Sequence, residues 1–477
     1  MNIIKFLRGC WWGAHPSTLL TFYKSFVRPI IDYASFLYFP LKNTKVLKIE
    51  RIQYQAIRLS LGYIITTPTN ILTAEAKLMR LIDRAKFLGT KFIIRNLSNS
   101  SSPSNPFIRR QFFNCLRISS SKYNILQYCI TQVFPFKDLI MSENIYNFDF
   151  QVLNVSLPVN IDVGSQLNLL ENPGEIFSNH ITNDNVTQIF TDGSKSPNKV
   201  SVGTACIVPE SDYHLSRSLD KIASIYTAES LALYDALKYT LLDKSKNYNI
   251  YSDSLSNLLN LSKSSLKVSQ NFYNIKSKEA YLQFLSNNNE TQVHLFWVPS
   301  HKNIFGNELA DNVAKQATEN PPMNLKIPHA DLYPLLKSRF LTQTHNTLLQ
   351  ESESKGKKYF ECYFEKKRKP WFEGFGLSRQ DIVQINRCRA DHYHLNYSLH
   401  RMNLIDDPSC PCGNETQDLD HIIWQCPTYD EERTLLLKSL ANYKIFPPCT
   451  IHIFLKKPHI AVMKIILEFF ERCKIKV

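Results

Sequence analysis

Short runs of β-branched and aromatic residues in the middle of the chain predict strands, and stretches with apolar residues at helical spacing predict helices between them. The predicted strands are 188–190, 200–208, 213–219, 247–252 and 293–298. The predicted helices are 224–242, 253–261, 271–285 and 306–318, and Asp192-Gly193-Ser194 is predicted to be a turn that ends the first strand. This order of elements predicts an α/β fold with a mixed five-stranded sheet.

Helical patterns also fill the two ends of the chain. Residues 1–97 have apolar residues at helical spacing, for example over 45–61, and predict an N-terminal helical region. A polar stretch rich in Asn and Ser follows, so residues 98–185 are predicted to be a linker or connection region. Residues 321–477 begin with several prolines and continue as a mostly helical C-terminal region, which leaves 186–320 as the central domain.

Charge is distributed unevenly along the chain. The formal net charge is +14 and the sequence pI is about 9.1, which favours a polyanionic partner such as nucleic acid. Residues 1–100 carry fifteen Lys/Arg against four Asp/Glu, a net of +11, whereas residues 186–320 carry thirteen of each. The basic excess therefore lies outside the central domain, as expected if binding and catalysis are divided between segments.

The cysteines and the apolar segments bear on the compartment. Eleven cysteines, an odd number spread from Cys10 to Cys473, do not resemble a disulfide framework. The first residues lack the pattern of a secretory signal, and the apolar stretch 19–41 is interrupted by charges too early for a membrane span. We therefore expect a cytoplasmic or nuclear protein that is neither secreted nor membrane-bound, and the sequence indicates no oligomeric state.

Four acidic residues lie where predicted strands and helices begin or end. They are Asp192 in TDGS, Glu229 in TAES, Asp253 in YSDS and Asp311 in NELAD. Taken singly, each has an ordinary structural explanation: a turn residue, an exposed helix acid, a helix cap, or an ion pair with Lys315. Carboxylates are oxygen ligands of the kind that divalent ions such as Mg²⁺ and Mn²⁺ prefer.

The same motifs, with the block QVHLFWVPSHKNIFGNELAD, resemble type 1 ribonuclease H over residues 186–320. More narrowly, they resemble the ribonuclease H domain of reverse transcriptases from arthropod non-LTR retrotransposons. The resemblance implies a ribonuclease H-like fold and a metal-dependent endonuclease that cleaves the RNA strand of an RNA/DNA hybrid. It implies that the four carboxylates are catalytic ligands of two Mg²⁺ ions, or Mn²⁺, which promote phosphodiester hydrolysis. It also implies that His301 is a loop histidine that shuttles a proton. Gly193, Ser194 and Asn307 are the residues expected to contact the substrate.

The chain lacks several features of these relatives, among them the Trp- and Lys-rich helix that many bacterial members insert before the long helix, where this chain offers only Lys263 and Lys267. Ser224-Ile225-Tyr226 stands where cellular relatives carry Thr-Asn-Gln, so the amides that contact the minor groove there are missing. Residues 1–97 are similar to the thumb end of retrotransposon reverse transcriptases, but the adjacent pair Asp406-Asp407 is not the aromatic-x-Asp-Asp motif of a polymerase. DNA synthesis is therefore not predicted. The alternative function is a catalytically idle nucleic-acid-binding remnant of a retroelement.

A second group of metal-binding residue types lies near the C-terminus, in a module at about 385–435. Cys410, Cys412, His421 and Cys426 have a spacing that can close a tetrahedral zinc site. The segment is similar to the Cys/His segment that follows many retrotransposon nuclease domains. The alternative is a reduced knuckle without metal, packed around Trp424.

A basic segment between the two groups is rich in aromatic residues. Its cations can hold phosphates while its aromatic rings stack on bases, or the segment can be a helix with a solvated basic face. The candidate nucleic-acid contacts are Lys355, Lys357, Lys358, Lys366, Lys367 and Arg368, interleaved with Tyr359, Phe360, Tyr363 and Phe364.

Overall fold

The computed structural model describes residues 1–9, 12–38, 43–115, 125–142, 149–180, 186–242, 247–264, 271–286, 291–447, 449–456, 458–475 and 477. The chain divides into two compact units. Unit 1 comprises Met1–Gly89 and Ser338–Val477, and unit 2 comprises Thr90–Lys337. The predicted N-terminal and C-terminal helical regions therefore both contribute to unit 1.

The described elements are mainly helical outside the centre of the chain. The helices are α1 (Asn2–Leu7), α2 (Pro16–Phe22), α3 (Arg28–Asp32), α4 (Ser35–Tyr38), α5 (Asn43–Leu61), α6 (Thr69–Glu75), α7 (Leu81–Leu97), α8 (Asn105–Cys115), α9 (Ile125–Val133), α10 (Phe150–Asn154), α11 (Asp162–Asn168), α12 (Pro173–His180), α13 (Ile225–Tyr239), α14 (Leu255–Leu261), α15 (Phe272–Ser286), α16 (Phe305–Ala317), α17 (Leu332–Ser352), α18 (Lys357–Cys362), α19 (Arg379–Ala390), α20 (Asn396–Arg401), α21 (Leu419–Trp424), α22 (Asp430–Ala441), α23 (Ile451–Lys456) and α24 (Ile460–Arg472). The strands are β1 (Val159–Asn160), β2 (Val186–Ser194), β3 (Ser201–Val208), β4 (Tyr213–Asp220), β5 (Asn247–Ser252) and β6 (Val293–Trp297). A π-helix spans Tyr23–Val27, and 3₁₀ turns span Phe134–Phe136, Pro209–Ser211, His329–Asp331 and Pro427–Tyr429.

Unit 2 contains a mixed six-stranded sheet with the order β1-β6-β5-β2-β3-β4. The pairs β2/β3 and β3/β4 are antiparallel, whereas β2/β5, β5/β6 and β1/β6 are parallel. The predicted α/β class and flanking helical regions are confirmed. The sheet has six strands and not the predicted five, because the two-residue strand β1 pairs at one edge through Val159↔Leu295 and Asn160↔Phe296.

The first predicted strand is longer than expected. The sequence predicts a turn at Asp192-Gly193-Ser194, but β2 continues through these residues and pairs with β3 as far as Ser194↔Gly203. The turn prediction is therefore wrong, because hydrogen bonds to a neighbouring strand override the turn preference of an Asp-Gly pair. As a result, Asp192 lies within the sheet: it pairs with Ala205 of β3, and the residue before it, Thr191, pairs with Ser252 of β5.

Helices cover both faces of the sheet at its centre, and glycines mark where they approach most closely. A Cβ at Gly193 would lie 2.9 Å from the backbone nitrogen of Glu229 in α13. A Cβ at Gly203 would lie 2.0 Å from the carbonyl oxygen of Ala314 in α16. Since Gly193 pairs with Thr204, the residue next to Gly203, the two glycines face opposite sides of the sheet. Helices α13 and α16 therefore pack on opposite faces.

The segment before β2 completes the sheet domain. Leu157 donates a backbone hydrogen bond to Leu261, and Leu295 donates one to Pro158. Leu167 in α11 and Phe177 in α12 are buried in one core cluster with Phe190, Tyr251 and residues of α16. Part of the predicted linker or connection region thus belongs to the folded core of unit 2.

In unit 1, α19 holds the C-terminal end of α5. The Arg379 guanidinium donates to the carbonyl oxygens of Leu59 at 3.0 Å and Ser60 at 2.8 Å, and also to those of Arg8, Gly9 and Ala14. Further along α19, Asn386 Nδ2 donates to the Leu61 carbonyl at 3.0 Å. These bonds satisfy carbonyl groups that a helix end leaves without partners.

No helix in the described part of the chain is long and apolar enough to cross a membrane. The cytoplasmic or nuclear location stays a prediction.

Candidate active site

Three carboxylates meet at the centre of the sheet in unit 2. Asp192 lies on β2, Glu229 lies on the first turns of α13, and Asp253 directly follows the last residue of β5. One ligand oxygen from each lies within 4.8 Å of the others. Asp192 and Glu229 are buried, with 5% and 7% of their surface exposed, so this cluster carries acidic groups that are largely removed from water.

The pKa values of all three carboxyl groups are raised. Burial is the largest cause for Asp192, and the neighbouring Asp253 and Asp311 add to it, so that the pKa of Asp192 rises to about 8. The pKa of Glu229 is also raised well above its usual value, by burial and then by Asp192 and Asp253. Burial and the charge of Asp311 raise the pKa of Asp253. Three carboxyl groups this close together therefore ionise with difficulty unless a cation binds beside them.

A second cluster adjoins the first. His301 lies in the loop after β6 and is exposed, while Glu308 and Asp311 lie one turn apart on α16 and are half-buried. Their ligand atoms also lie within 4.8 Å of one another. Lys315 Nζ lies 2.5 Å from the Asp311 carboxylate, so the ion pair considered from the sequence is present beside the cluster. Glu308 was not predicted, although its spacing of three residues from Asp311 on a helix was a readable signal.

The residues of both clusters fit divalent cations. Glu229 Oε2 is buried and accepts no hydrogen bond from any residue that the structure describes. A buried carboxylate oxygen without a donor is costly unless a cation binds it, and carboxylates are the ligands that Mg²⁺ and Mn²⁺ prefer. Among the predicted substrate contacts, Asn307 is buried and its Oδ1 is likewise without a described donor, Gly193 is buried against α13, and Ser194 is half-exposed.

Comparison with protein families identifies the central part of the chain. Residues 184–319 match the family model of RNase H. The chain carries an RNase H domain. Among solved structures, one match is RNase H1 from the halophilic archaeon Halobacterium salinarum NRC-1, with 17% identity and a TM-score of 0.21, over 28% of this chain and 96% of that one. Comparison with curated proteins gave no match.

Outside the RNase H domain, the structure brings the four predicted Cys/His residues together in unit 1. Cys410 Sγ lies 3.8 Å from Cys426 Sγ, and Cys412 Sγ lies 3.3 Å from His421 Nε2. All four ligand atoms lie within 4.8 Å of one another. Zinc–sulfur bonds of about 2.3 Å at tetrahedral angles place two sulfurs about 3.8 Å apart. The donor set and its spacing therefore fit Zn²⁺, which prefers thiolate and imidazole ligands.

The basic segment of unit 1 is arranged as a charged surface over buried rings. Tyr359, Phe360 and Tyr363 are buried in the core of unit 1 and cannot stack on bases. The segment's cations are exposed except Lys358, which is half-buried. Several have acidic neighbours: the distance to the paired carboxylate is 3.1 Å for Lys355, 3.9 Å for Lys357, 3.3 Å for Lys358 and 2.8 Å for Lys367. The arrangement therefore favours the interpretation in which the basic face is solvated, with phosphate contact limited to the cations.

Proposed function

We propose that the RNase H domain of this chain hydrolyses the RNA strand of an RNA/DNA hybrid and depends on divalent metal ions. The observation that carries the proposal is the cluster of Asp192, Glu229 and Asp253 within the segment that matches the RNase H family model. Buried acids at this density destabilise a folded domain when they ionise. Their clustering at the centre of one sheet is explained by binding of cations that act on a phosphodiester.

The metal would be held by Asp192, Glu229 and Asp253, with Asp311 beside Asp192 as a further ligand. When bound, Mg²⁺ or Mn²⁺ supplies positive charge that stabilises the transition state at phosphorus and lowers the pKa of water. Two ions are expected, as the resemblance to type 1 ribonuclease H implies. The two adjoining clusters support this expectation because they offer separate ligand sets. A structural Zn²⁺ held by Cys410, Cys412, His421 and Cys426 is a separate proposal for unit 1.

The chain's own residues contribute positioning and proton transfer. Water adds to phosphorus, the bond to the 3′-oxygen breaks, and the products are a 3′-hydroxyl and a 5′-phosphate. His301 is exposed in a loop beside Asp311, so it can carry a proton to the departing 3′-oxygen and exchange it with solvent. Lys315 forms an ion pair with Asp311 and neutralises part of its charge.

Unit 1 supplies the charge that attracts nucleic acid. Residues 90–337 carry 22 Lys/Arg and 21 Asp/Glu, a net of +1, whereas the rest of the chain carries 34 and 21, a net of +13. Neutral catalytic units bind polyanions weakly, because affinity for a duplex arises largely from cations that replace its counterions. We infer that unit 1 tethers the substrate while unit 2 cleaves it.

The proposal extends to origin. The sequence motifs TDGS, WVPSH and GNELAD, followed by a Cys/His segment, support descent from the reverse transcriptase polyprotein of a non-LTR retrotransposon. The helical residues 1–97 are then a thumb-like remnant. The four segments 1–97, 98–185, 186–320 and 321–477 remain the proposed division by descent.

Incubation of the purified full chain with a labelled RNA/DNA hybrid tests the activity. Cleavage of the RNA strand is expected with Mg²⁺ or Mn²⁺ and should stop when EDTA is added. The matched DNA duplex should bind without being cut. If hybrid binds but no cleavage occurs with either ion, the catalytically idle nucleic-acid-binding remnant is the correct function. Equal cleavage of the DNA duplex would refute the RNase H assignment.

A further inference from the structure

The Tyr226 hydroxyl lies in a polar cluster formed by α13, α14 and α15. Asn260 Nδ2 and Asn274 Nδ2 each donate to the Tyr226 hydroxyl oxygen at 2.8 Å. Asn274 and Asn257 are fully buried, whereas Tyr226 and Asn260 are half-exposed. The cluster therefore has a buried base and an accessible outer layer that consists of one phenol and one amide.

A backbone group fixes the direction of the hydrogen bonds at the buried base. The Tyr226 carbonyl oxygen can only accept, so the atom of Asn257 that faces it, at 3.1 Å, is Nδ2. Asn257 Oδ1 then faces Asn274, whose Nδ2 donates to it at 3.1 Å. The second N–H of this same Asn274 Nδ2 points to the Tyr226 hydroxyl. The phenol oxygen is thus obliged to accept.

Because its oxygen accepts two N–H groups, the Tyr226 hydroxyl keeps its own proton for a third partner. Within the residues that the structure describes, no acceptor receives this proton. The same holds for Asn260 Oδ1, which accepts no described hydrogen bond. The outer layer of the cluster thus presents one O–H donor and one carbonyl acceptor side by side.

The cluster is built on helices that carry or follow two of the carboxylates. Tyr226 precedes Glu229 by three residues on α13, which corresponds to one helical turn of about 5 Å. Asn257 follows Asp253 by four residues, at the start of α14. The cluster therefore flanks the carboxylates from the two helices that carry or follow them.

We propose that Tyr226 and Asn260 recognise a ribose 2′-hydroxyl of the RNA strand, a role that rests on the proposed function. A 2′-hydroxyl both accepts and donates, so it is complementary to one O–H donor beside one carbonyl acceptor. A phosphate oxygen only accepts and would leave Asn260 Oδ1 without a partner. Tyr226 would thus contact the substrate directly, at a place where the sequence lacks the Asn-Gln amides of cellular relatives.

Binding measurements in EDTA test the inference without requiring cleavage. The full chain is titrated with an RNA/DNA hybrid and with the same hybrid carrying 2′-fluoro-RNA, whose sugar cannot donate a hydrogen bond. The wild type should prefer the unmodified hybrid, and Tyr226→Phe should reduce that preference by about three- to tenfold, as expected for one or two neutral hydrogen bonds.

Two further variants keep the test decisive. Asn260→Asp offers only acceptor atoms, so it captures the Tyr226 proton internally and should reduce the preference as Tyr226→Phe does. Tyr234→Phe, on the same helix, removes a phenol outside the cluster and should leave the preference unchanged. Melting curves confirm that each variant is folded.

The possible outcomes separate the two claims. A wild type without preference overturns the recognition by Tyr226, as does a Tyr226→Phe chain with the wild-type preference. Equal weakening of both hybrids also overturns it, because a phosphate contact would act on both. A preference that Tyr226→Phe removes supports recognition of the 2′-hydroxyl even if the RNA is never cut, and in that case only the proposed catalytic function fails.

Discussion

Gly193 and Glu229 approach so closely that a side-chain Cβ at residue 193 would lie 2.9 Å from the Glu229 backbone nitrogen. The same Cβ would lie 3.0 Å from the Ala228 Cβ. Glycine at this position therefore sets how near α13 can come to β2. That distance decides whether the carboxylates of Asp192 and Glu229 can share one ion.

The substitution Gly193→Ala should impair both stability and cleavage. The added methyl group meets backbone atoms that cannot rotate away, so α13 must shift, at a cost of about 1–3 kcal/mol. Chemical denaturation and cleavage of a labelled hybrid would measure the two effects. Gly376→Ala is the control, because no atom lies within 4 Å of its added Cβ. Wild-type stability and activity for Gly193→Ala would contradict the role assigned to this contact.

Removal of a single central carboxylate should abolish cleavage, whereas removal of the loop histidine should only slow it. Asp192→Asn, Glu229→Gln and Asp253→Asn each delete charge needed to hold cations, and losses of about three orders of magnitude or more are expected. His301→Ala should lose about a hundredfold, because water can replace it in proton transfer. Single-turnover rates with Mg²⁺ measure these effects, with the exposed Asp212→Asn as control. The assigned roles are wrong if His301→Ala is the least active of the set.

Without metal, the protein should become less stable as the pH rises from about 4 to about 8. The pKa of Asp192 is raised by burial, then by Asp253 and Asp311, to about 8, whereas in the unfolded chain it is about 3.9. Between these values the folded state retains a proton that the unfolded state has released, so raising the pH favours unfolding. Asp192→Asn cannot titrate and should show a weaker dependence.

Thermal melting in EDTA from pH 5 to pH 9 checks this pH effect. At pH 8, Asp192→Asn should melt at a higher temperature than the wild type, and added Mg²⁺ should raise the melting temperature of the wild type more than that of the variant. Asp212→Asn changes an exposed carboxylate, so its melting temperature should depend on pH as that of the wild type does. Parallel curves for wild type and Asp192→Asn would show that the acid at 192 does not control the pH response.

The Cys/His group should bind one zinc ion per chain and support unit 1 without affecting the catalytic site. Cys410→Ser combined with Cys426→Ser removes two of the four ligands, so zinc content should fall to background and unit 1 should be destabilised. Hybrid binding should weaken, while cleavage at low salt should persist. Metal analysis and far-UV circular dichroism measure the outcome, with Cys473→Ser as control. Native zinc content in the double variant would exclude the proposed site.

Isolated unit 2, residues 90–337, should be more stable than an isolated fragment of the predicted central domain, residues 186–320. A fragment of 186–320 lacks β1 and the buried Leu167 and Phe177, and each large apolar side chain lost from a core costs about 2–5 kcal/mol. Fragment 90–337 keeps them. Urea denaturation should therefore rank 90–337 above 186–320, and equal stability would mean that the preceding segment is dispensable.

The charge division predicts a further difference between unit 2 and the full chain. With a net charge of +1, fragment 90–337 should bind a hybrid more weakly than the full chain and with a shallower dependence on salt. It should still cleave at low salt, because the carboxylates and His301 lie within it. Titrations from 50 to about 200 mM salt provide the comparison. Identical salt slopes would place the binding surface on unit 2.

The sequence predicted most of the sheet because its strands and helices alternate with strong, regular patterns. The predicted 247–252 strand coincides with β5, and the other four differ from β2, β3, β4 and β6 mainly at their ends. The two-residue strand β1 could not be predicted, since its pairing depends on β6 and not on local preference. The turn predicted at Asp192-Gly193-Ser194 was wrong for the same reason, because these residues pair with β3, which is a non-local contact.

The site was predicted where motifs specify it and missed where only the fold brings residues together. Asp192, Glu229 and Asp253 were named together from their motifs, and the structure places them within one cluster. Glu308 was not named, although its spacing of three residues from Asp311 was a readable signal. Asn260 and Asn274 were not named, because their significance depends on neighbours that are distant in sequence. The aromatic residues of the basic segment were considered for base stacking, but burial of Tyr359, Phe360 and Tyr363 reflects packing that a local pattern does not reveal.

The hydrogen bonds of Arg379 to the end of α5 have a consequence for synthesis on the ribosome. Residues 1–89 leave the ribosome before unit 2, yet the group that caps Leu59 and Ser60 lies some 320 residues later in the chain. Unit 2, whose residues are contiguous, is complete before that group is made. We therefore expect unit 2 to fold while the N-terminal helices remain exposed to chaperones and proteases until Arg379 has been synthesised.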